Sequence, residues 1–284
     1  MKRILICLLA LALLTGCTSA APPAETTRET VAETTAEPAT EPAAEPETIP
    51  ETTAETTLPE PTELLPPEPT LNPDAGPSDP VFLPPEELSV DASFFDDAVF
   101  VGDSVSVMLS YSAAETGELG KAQFLVKESF SMLHAAKYSM NLEYNGTPMH
   151  LEDAIAACGA KKVFLMLGTN DMVYMPIGDT LENWRTVIGR IRQAVPGVKI
   201  YIQSCMPVYP AGQKGTLNNE VMDTLNEELE FLSMELDCPF LNVALYMKDS
   251  NNGLADPYCS DGSVLLNYTG AEVWTYALRS LVTG

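Results

Sequence analysis

Apolar residues along the chain fall into short unbroken runs separated by amphipathic stretches. Ala98-Val99-Phe100-Val101, Lys161 to Leu167, Val198 to Gln203 and Phe240-Leu241-Asn242-Val243 are rich in β-branched and aromatic side chains. Runs this short, apolar at consecutive positions, predict strands buried on both faces. Between and after them, Val105 to Ala114, Leu151 to Cys158, Thr180 to Ala194, Asn218 to Leu236 and Tyr268 to Leu281 predict helices. In the third helix Leu181, Trp184, Val187, Ile188 and Ile191 recur at helical spacing, and Pro196-Gly197 stops it. In the fourth, Val221, Leu225, Leu229 and Leu232 share one face.

Strands alternating with helices imply βαβ units and a mainly parallel sheet covered on both faces, an α/β fold. Ligands of such sheets bind at the carboxyl ends of the strands. The residues to inspect are therefore Gly102-Asp103-Ser104, Gly168-Thr169-Asn170-Asp171, Ser204-Cys205-Met206-Pro207 and the loop from Tyr246 to Asn267.

Ahead of this block the pattern disappears. Sixteen of the 23 prolines fall between Pro22 and Pro85, and residues 18–90 carry 16 acidic side chains against one basic, Arg28. A Glu/Thr/Ala/Pro segment of this kind cannot bury enough apolar surface to offset its ordering entropy. Residues 17–90 are expected to form an extended acidic tether with a reach on the order of 200 Å, and residues 91–284 a single domain. Residues 1–16 read as a signal: Lys2 and Arg3 precede an apolar run from Ile4 to Leu14, too short to span a bilayer, and then Leu14-Thr15-Gly16-Cys17. That order resembles a bacterial lipoprotein signal. It implies lipid attachment at Cys17 and a protein anchored outside the cytoplasmic membrane. The net charge of −25 argues against a nucleic-acid partner, which needs a basic surface.

Three strand-end residues carry candidate chemistry. Ser104 sits where the first strand turns into the first helix, with its hydroxyl near free N–H groups that suit a developing negative charge. It could equally be a helix cap. Asn170 could donate an amide to the same oxyanion, or simply form a turn. Asp261, before the last helix, could orient an imidazole or cap that helix. Phe100-Val101-Gly102-Asp103-Ser104, Leu167-Gly168-Thr169-Asn170-Asp171 and Ser260-Asp261-Gly262 together resemble the first, third and fifth blocks of the SGNH (GDSL-type) hydrolases, in order and spacing. The resemblance implies a three-layer α/β/α sandwich of the flavodoxin-like type and ester or amide hydrolysis by a serine. Ser104 would be the nucleophile, the Ser104 N–H and the Asn170 side chain the oxyanion donors, and Asp261 the acid of the triad. No cofactor and no metal are implied. The substrate would be an acyl ester or acylated glycan.

Two positions depart from that family. The place of the catalytic histidine falls on Leu265, which cannot accept a proton. The second block lacks its glycine: none occurs between Lys121 and Asn145, and Ser131 is the candidate for the equivalent place. A serine hydroxyl without a base is a poor nucleophile. His134 and His150 are the chain's two histidines. His150 reads as a helix-entrance residue, and His134 lies in a weakly patterned stretch. The alternative to an esterase is therefore a weak or inactive module that binds a glycan or a partner protein. Cys158, Cys205, Cys238 and Cys259 permit disulfides without requiring them.

Overall fold

The computed structural model describes residues 66–283; the signal, Cys17 and the tether up to residue 65 lie outside the described residues. The chain forms β1 (Ala98–Gly102), α1 (Val107–Thr116), β2 (Gln123–Val126), α2 (Met132–Lys137) and a hairpin of β3 (Leu142–Tyr144) and β4 (Thr147–Met149). It continues through α3 (Leu151–Cys158), β5 (Lys162–Met166), α4 (Ile177–Ala194), β6 (Lys199–Gln203), α5 (Asn219–Glu235), β7 (Phe240–Leu241) and α6 (Tyr268–Leu281). The main sheet has the order β2-β1-β5-β6-β7 and every pairing in it is parallel. Because β2 lies on one side of β1 and β5 on the other, the strand order reverses beside β1. The crevice at such a switch point is where open α/β sheets bind ligands.

Period-two alternation along each strand builds the two faces. Val99, Val101, Val163, Leu165, Ile200 and Ile202 point to one side, where Trp184 and Ile188 of α4 and Leu225 and Leu229 of α5 cover them. Ala98, Phe100, Phe164 and Tyr201 point to the other, under Leu109 of α1 and Trp274 and Leu278 of α6. On that face Phe124, Phe100, Phe164 and Tyr201 form a ladder across four strands, with ring centroids 5.1, 4.6 and 4.4 Å apart. The result is the expected α/β/α sandwich. Helix ends follow local chemistry: Asn218 and Asn267 accept hydrogen bonds from Val221 N and Gly270 N and so cap α5 and α6.

The structure adds elements that the hydrophobic pattern does not announce. β2 is a four-residue edge strand, α2 has six residues, and the β3–β4 hairpin is polar. It also moves the start of the domain. Composition places residues 66–90 in the tether; the structure folds residues 70–90 across the domain as a strap. Leu71 pairs with Phe82, and Pro80 with Asp249. Val81 N donates to Lys248 O at 2.8 Å, Asp256 N to Ser78 O at 2.9 Å, and Ser89 N to Arg279 O at 2.9 Å. Phe82 and Val90 join the apolar cluster under α6. A segment with no core of its own is ordered here because its backbone groups and a few apolar side chains find partners on a finished domain.

Candidate functional site

The turn after β1 is shaped by one glycine and one carboxylate. A Cβ on Gly102 would come within 2.0 Å of Ser106 Oγ, so only glycine lets the strand turn this tightly. Asp103, not Ser104, caps the short 3₁₀ turn Ser104–Ser106: its Oδ1 accepts from Val105 N at 2.9 Å. This removes the capping explanation for Ser104. Ser104 is half-buried, and neither its Oγ nor its N–H takes part in a hydrogen bond among the described residues.

The β5 end is held against this turn. Gly168 has φ +139°, and a Cβ there would lie 2.8 Å from Leu225 Cδ2 and 3.0 Å from Cys205 Sγ. Two residues on, Asn170 Nδ2 donates to Asp103 Oδ2 at 2.8 Å and to Phe130 O at 3.1 Å. The structure thus brings Asn170 to the residue before Ser104, across the switch point between β1 and β5. Both amide hydrogens are already engaged there.

Asp171 ties in the loop before α2. It is fully buried, and its two oxygens accept from Met132 N at 3.0 Å and Leu133 N at 2.8 Å. The Lys127–Ser131 loop therefore lies against Asn170 and Asp171, where the missing second-block glycine would be expected. Ser129 there adopts φ +58°, uncommon for a residue with a side chain. Ser131 is buried and caps α2 by accepting from His134 N, with its hydroxyl 3.1 Å from His134 Nδ1. Asp103 and Asp171 were not singled out by sequence reasoning, although both stand inside the quoted motifs. Their signal is a carboxylate in the turn or loop that follows a strand, beside a serine or an amide residue.

Burial sets the electrostatics. The Asp103 carboxyl is pushed up to about 6, first by burial and then by the nearby Asp171 charge, against the hydrogen bonds from Val105 and Asn170. Asp171 is raised as well, by burial. The Cys205 thiol is pushed up to about 12 by burial, with Sγ 3.4 Å from Leu167 O, and is inert packing. All four cysteines of the domain are free.

The third loop is built differently. Asp261 is exposed, and its Oδ1 accepts from Ser263 N at 2.8 Å and Leu265 N at 3.1 Å, closing a turn on its own backbone. Leu265 is half-buried in the apolar cluster that also holds Val105, and its carbonyl accepts from Ser260 N. The loop is clipped to the segment after β6, where Tyr209 N donates to Ser263 O at 2.6 Å. Asp261 makes no hydrogen bond to Ser104, Asn170 or a histidine among the described residues. Neither histidine replaces the base by contact with Ser104. His134 bonds Ser131, and His150 begins α3 with its ring 4.1 Å from that of Tyr138. The β6 end contributes no reactive group: Ser204 Oγ accepts from Ala244 N, and Asn226 brackets Cys205 through both backbone groups.

Residues 100–273 match the GDSL-like Lipase/Acylhydrolase family, and the chain belongs to it. No curated protein sequence matches the chain. Among solved structures, the fold is shared with a Streptococcus pneumonia protein assigned as a platelet activating factor: TM-score 0.51, 18% identity, 64% of this chain and 82% of that one. It is also shared with a Bacteroides fragilis protein assigned as an acylhydrolase: TM-score 0.51, 14% identity, 64% and 84% covered. A GDSL-like lipase from Bacteroides thetaiotaomicron gives TM-score 0.50 and 14% identity over 65% of this chain and 86% of its own. At these identities the likeness concerns the fold alone.

Proposed function

We propose that the domain is a slow carboxylic ester hydrolase of the GDSL type, carried as a lipoprotein outside the cytoplasmic membrane. Ser104 is its nucleophile, the Ser104 N–H and Asn170 amide its oxyanion donors, and Asp261 the acid of its triad. Leu265 stands where the base belongs. The observation that carries this reading is that Asp103, the residue before Ser104, holds the Asn170 amide across the switch point of the sheet, while the Ser104 hydroxyl beside it has no hydrogen-bond partner among the described residues.

In this mechanism Ser104 Oγ attacks the acyl carbonyl and the carbonyl oxygen gains negative charge. The free N–H of Ser104 faces that charge. The hydroxyl proton must pass to water, because no imidazole is in place. In another serine hydrolase, losing the histidine costs about 10⁶ in turnover and leaves only what binding and the oxyanion hole supply. The substrate class is an acyl ester, with acylated cell-surface glycans the natural candidates for a domain on a long tether. The anchor rests on the Leu14-Thr15-Gly16-Cys17 order, and Cys17→Ser should release the protein from the membrane fraction.

The test is hydrolysis of short-chain acyl esters by the full chain and by Ser104→Ala. Low but measurable turnover that disappears in Ser104→Ala is the expected result; identical rates overturn the reading. A second reading, a module that binds acylated glycan without hydrolysis, is favoured by one observation: both Asn170 amide hydrogens already have acceptors. It predicts glycan binding unaltered by Ser104→Ala and no turnover from either protein.

A further inference from the structure

The Asn170 amide can stabilise an oxyanion only if one of its two hydrogens is given up. One is held by the Phe130 carbonyl at 3.1 Å, a partner that cannot change its hydrogen-bonding character. The other is held by Asp103 Oδ2 at 2.8 Å, a partner that can. Asp103 is 1% exposed, and its other oxygen is fixed by Val105 N at 2.9 Å. A carboxylate accepts at both oxygens. Once protonated at Oδ2 that oxygen carries a donor and becomes a weaker acceptor, so its hold on the Asn170 amide loosens.

We propose that Asp103 is a positioning residue that latches Asn170: while ionised it withholds one amide hydrogen from the substrate side, and on taking up a proton at Oδ2 it releases that hydrogen for an oxyanion. The balance is one proton from solvent onto Oδ2 and one hydrogen bond lost. This rests on the assignment of Asn170 as an oxyanion donor, and it adds a control that assignment does not contain. The titratable groups that face Asp103 are Asp171, beyond β5, and Cys205, beyond β6. The α2 side reaches it through Asp171, whose carboxylate feels His134. Burial places the Asp103 transition at about 6, within reach of mild acidification.

The experiment is NMR of the full chain, labelled at asparagine side-chain nitrogen and aspartate carboxyl carbon, titrated from pH 4.5 to 8. The Asn170 signal is assigned by its loss in Asn170→Ala. The latch predicts that Asn170 Nδ2 and Asp103 Cγ move together with one midpoint near 6. In Asp103→Asn the Asn170 signal should stay flat, and in Asp171→Asn the midpoint should fall, because a like charge has gone. An Asn170 signal that does not move, or that moves at a different midpoint from Asp103 Cγ in the wild type, overturns the latch, even if Asp103→Asn does not fold. The readout needs no turnover: a shared midpoint in a protein that never hydrolyses esters upholds the latch while the hydrolase reading fails, and the converse pair of results does the opposite.

Discussion

The two sides of the candidate site are made of different material. On the β1/β5 side, Asp103, Asn170 and Asp171 make buried or half-buried hydrogen bonds that reach Val105, Phe130, Met132 and Leu133. On the other side, Asp261 is exposed and accepts only from residues of its own loop among the described residues, and Leu265 packs half-buried in an apolar cluster. Altering the first side is costly, since Asp103 and Asp171 are buried and their loss would strand the N–H groups they accept from. The second accommodates a leucine at 265 because that side chain joins an existing apolar cluster. The buried strand ends and the exposed loop are thus held by separate sets of contacts.

Three changes probe that contrast. The largest effect should come from pH. The folded Asp103 carboxyl lies at about 6, above its ordinary value, so the folded chain keeps a proton that the unfolded chain gives up. Its favourable contribution is full below pH 4 and is lost as pH rises to about 6, with Asp171 acting in the same direction. Urea unfolding should show the wild type losing about 3 kcal/mol relative to Asp103→Asn across that window. A difference between the two proteins that stays constant over the same window would mean the buried side is not strained by charge. Next, Asp171→Ala leaves Met132 N and Leu133 N without acceptors and should lower unfolding stability by about 2 kcal/mol. The smallest effect belongs to the exposed side: Asp261→Ala should cost no more than about 1 kcal/mol, since water can satisfy Ser263 N and Leu265 N. A larger loss there would erase the distinction between the two sides.

Much of the frame was legible in the residues. The runs at Ala98, Lys161 and Val198 and the helical faces of Trp184 and Leu225 locate the central strands and long helices, because a parallel sheet core writes itself as continuous apolar sequence. The edge strand at Gln123 escaped notice because it is four residues long and only Leu125 in it is buried. The strap escaped for the opposite reason. Its Pro- and Glu-rich composition matches the tether, and its order comes from Lys248, Asp256 and Arg279, more than 150 residues away in sequence. At the site, the motifs locate Ser104, Asn170 and Asp261 as strand-end and loop residues. Which residue caps the Ser104 turn, and what already occupies the Asn170 amide, are tertiary facts. They depend on Asp103 and Phe130 meeting Asn170 across the sheet, and no local pattern encodes that meeting.

We propose that the nucleophile Ser104 and the Asn170 amide are in place and that Leu265 stands where the base belongs. The most direct measurement is the turnover of one short-chain acyl ester by Leu265→His and by the wild type, each corrected for its Ser104→Ala counterpart. A restored base should raise the rate by on the order of 10²-fold or more. An unchanged rate in a folded Leu265→His protein would contradict the claim.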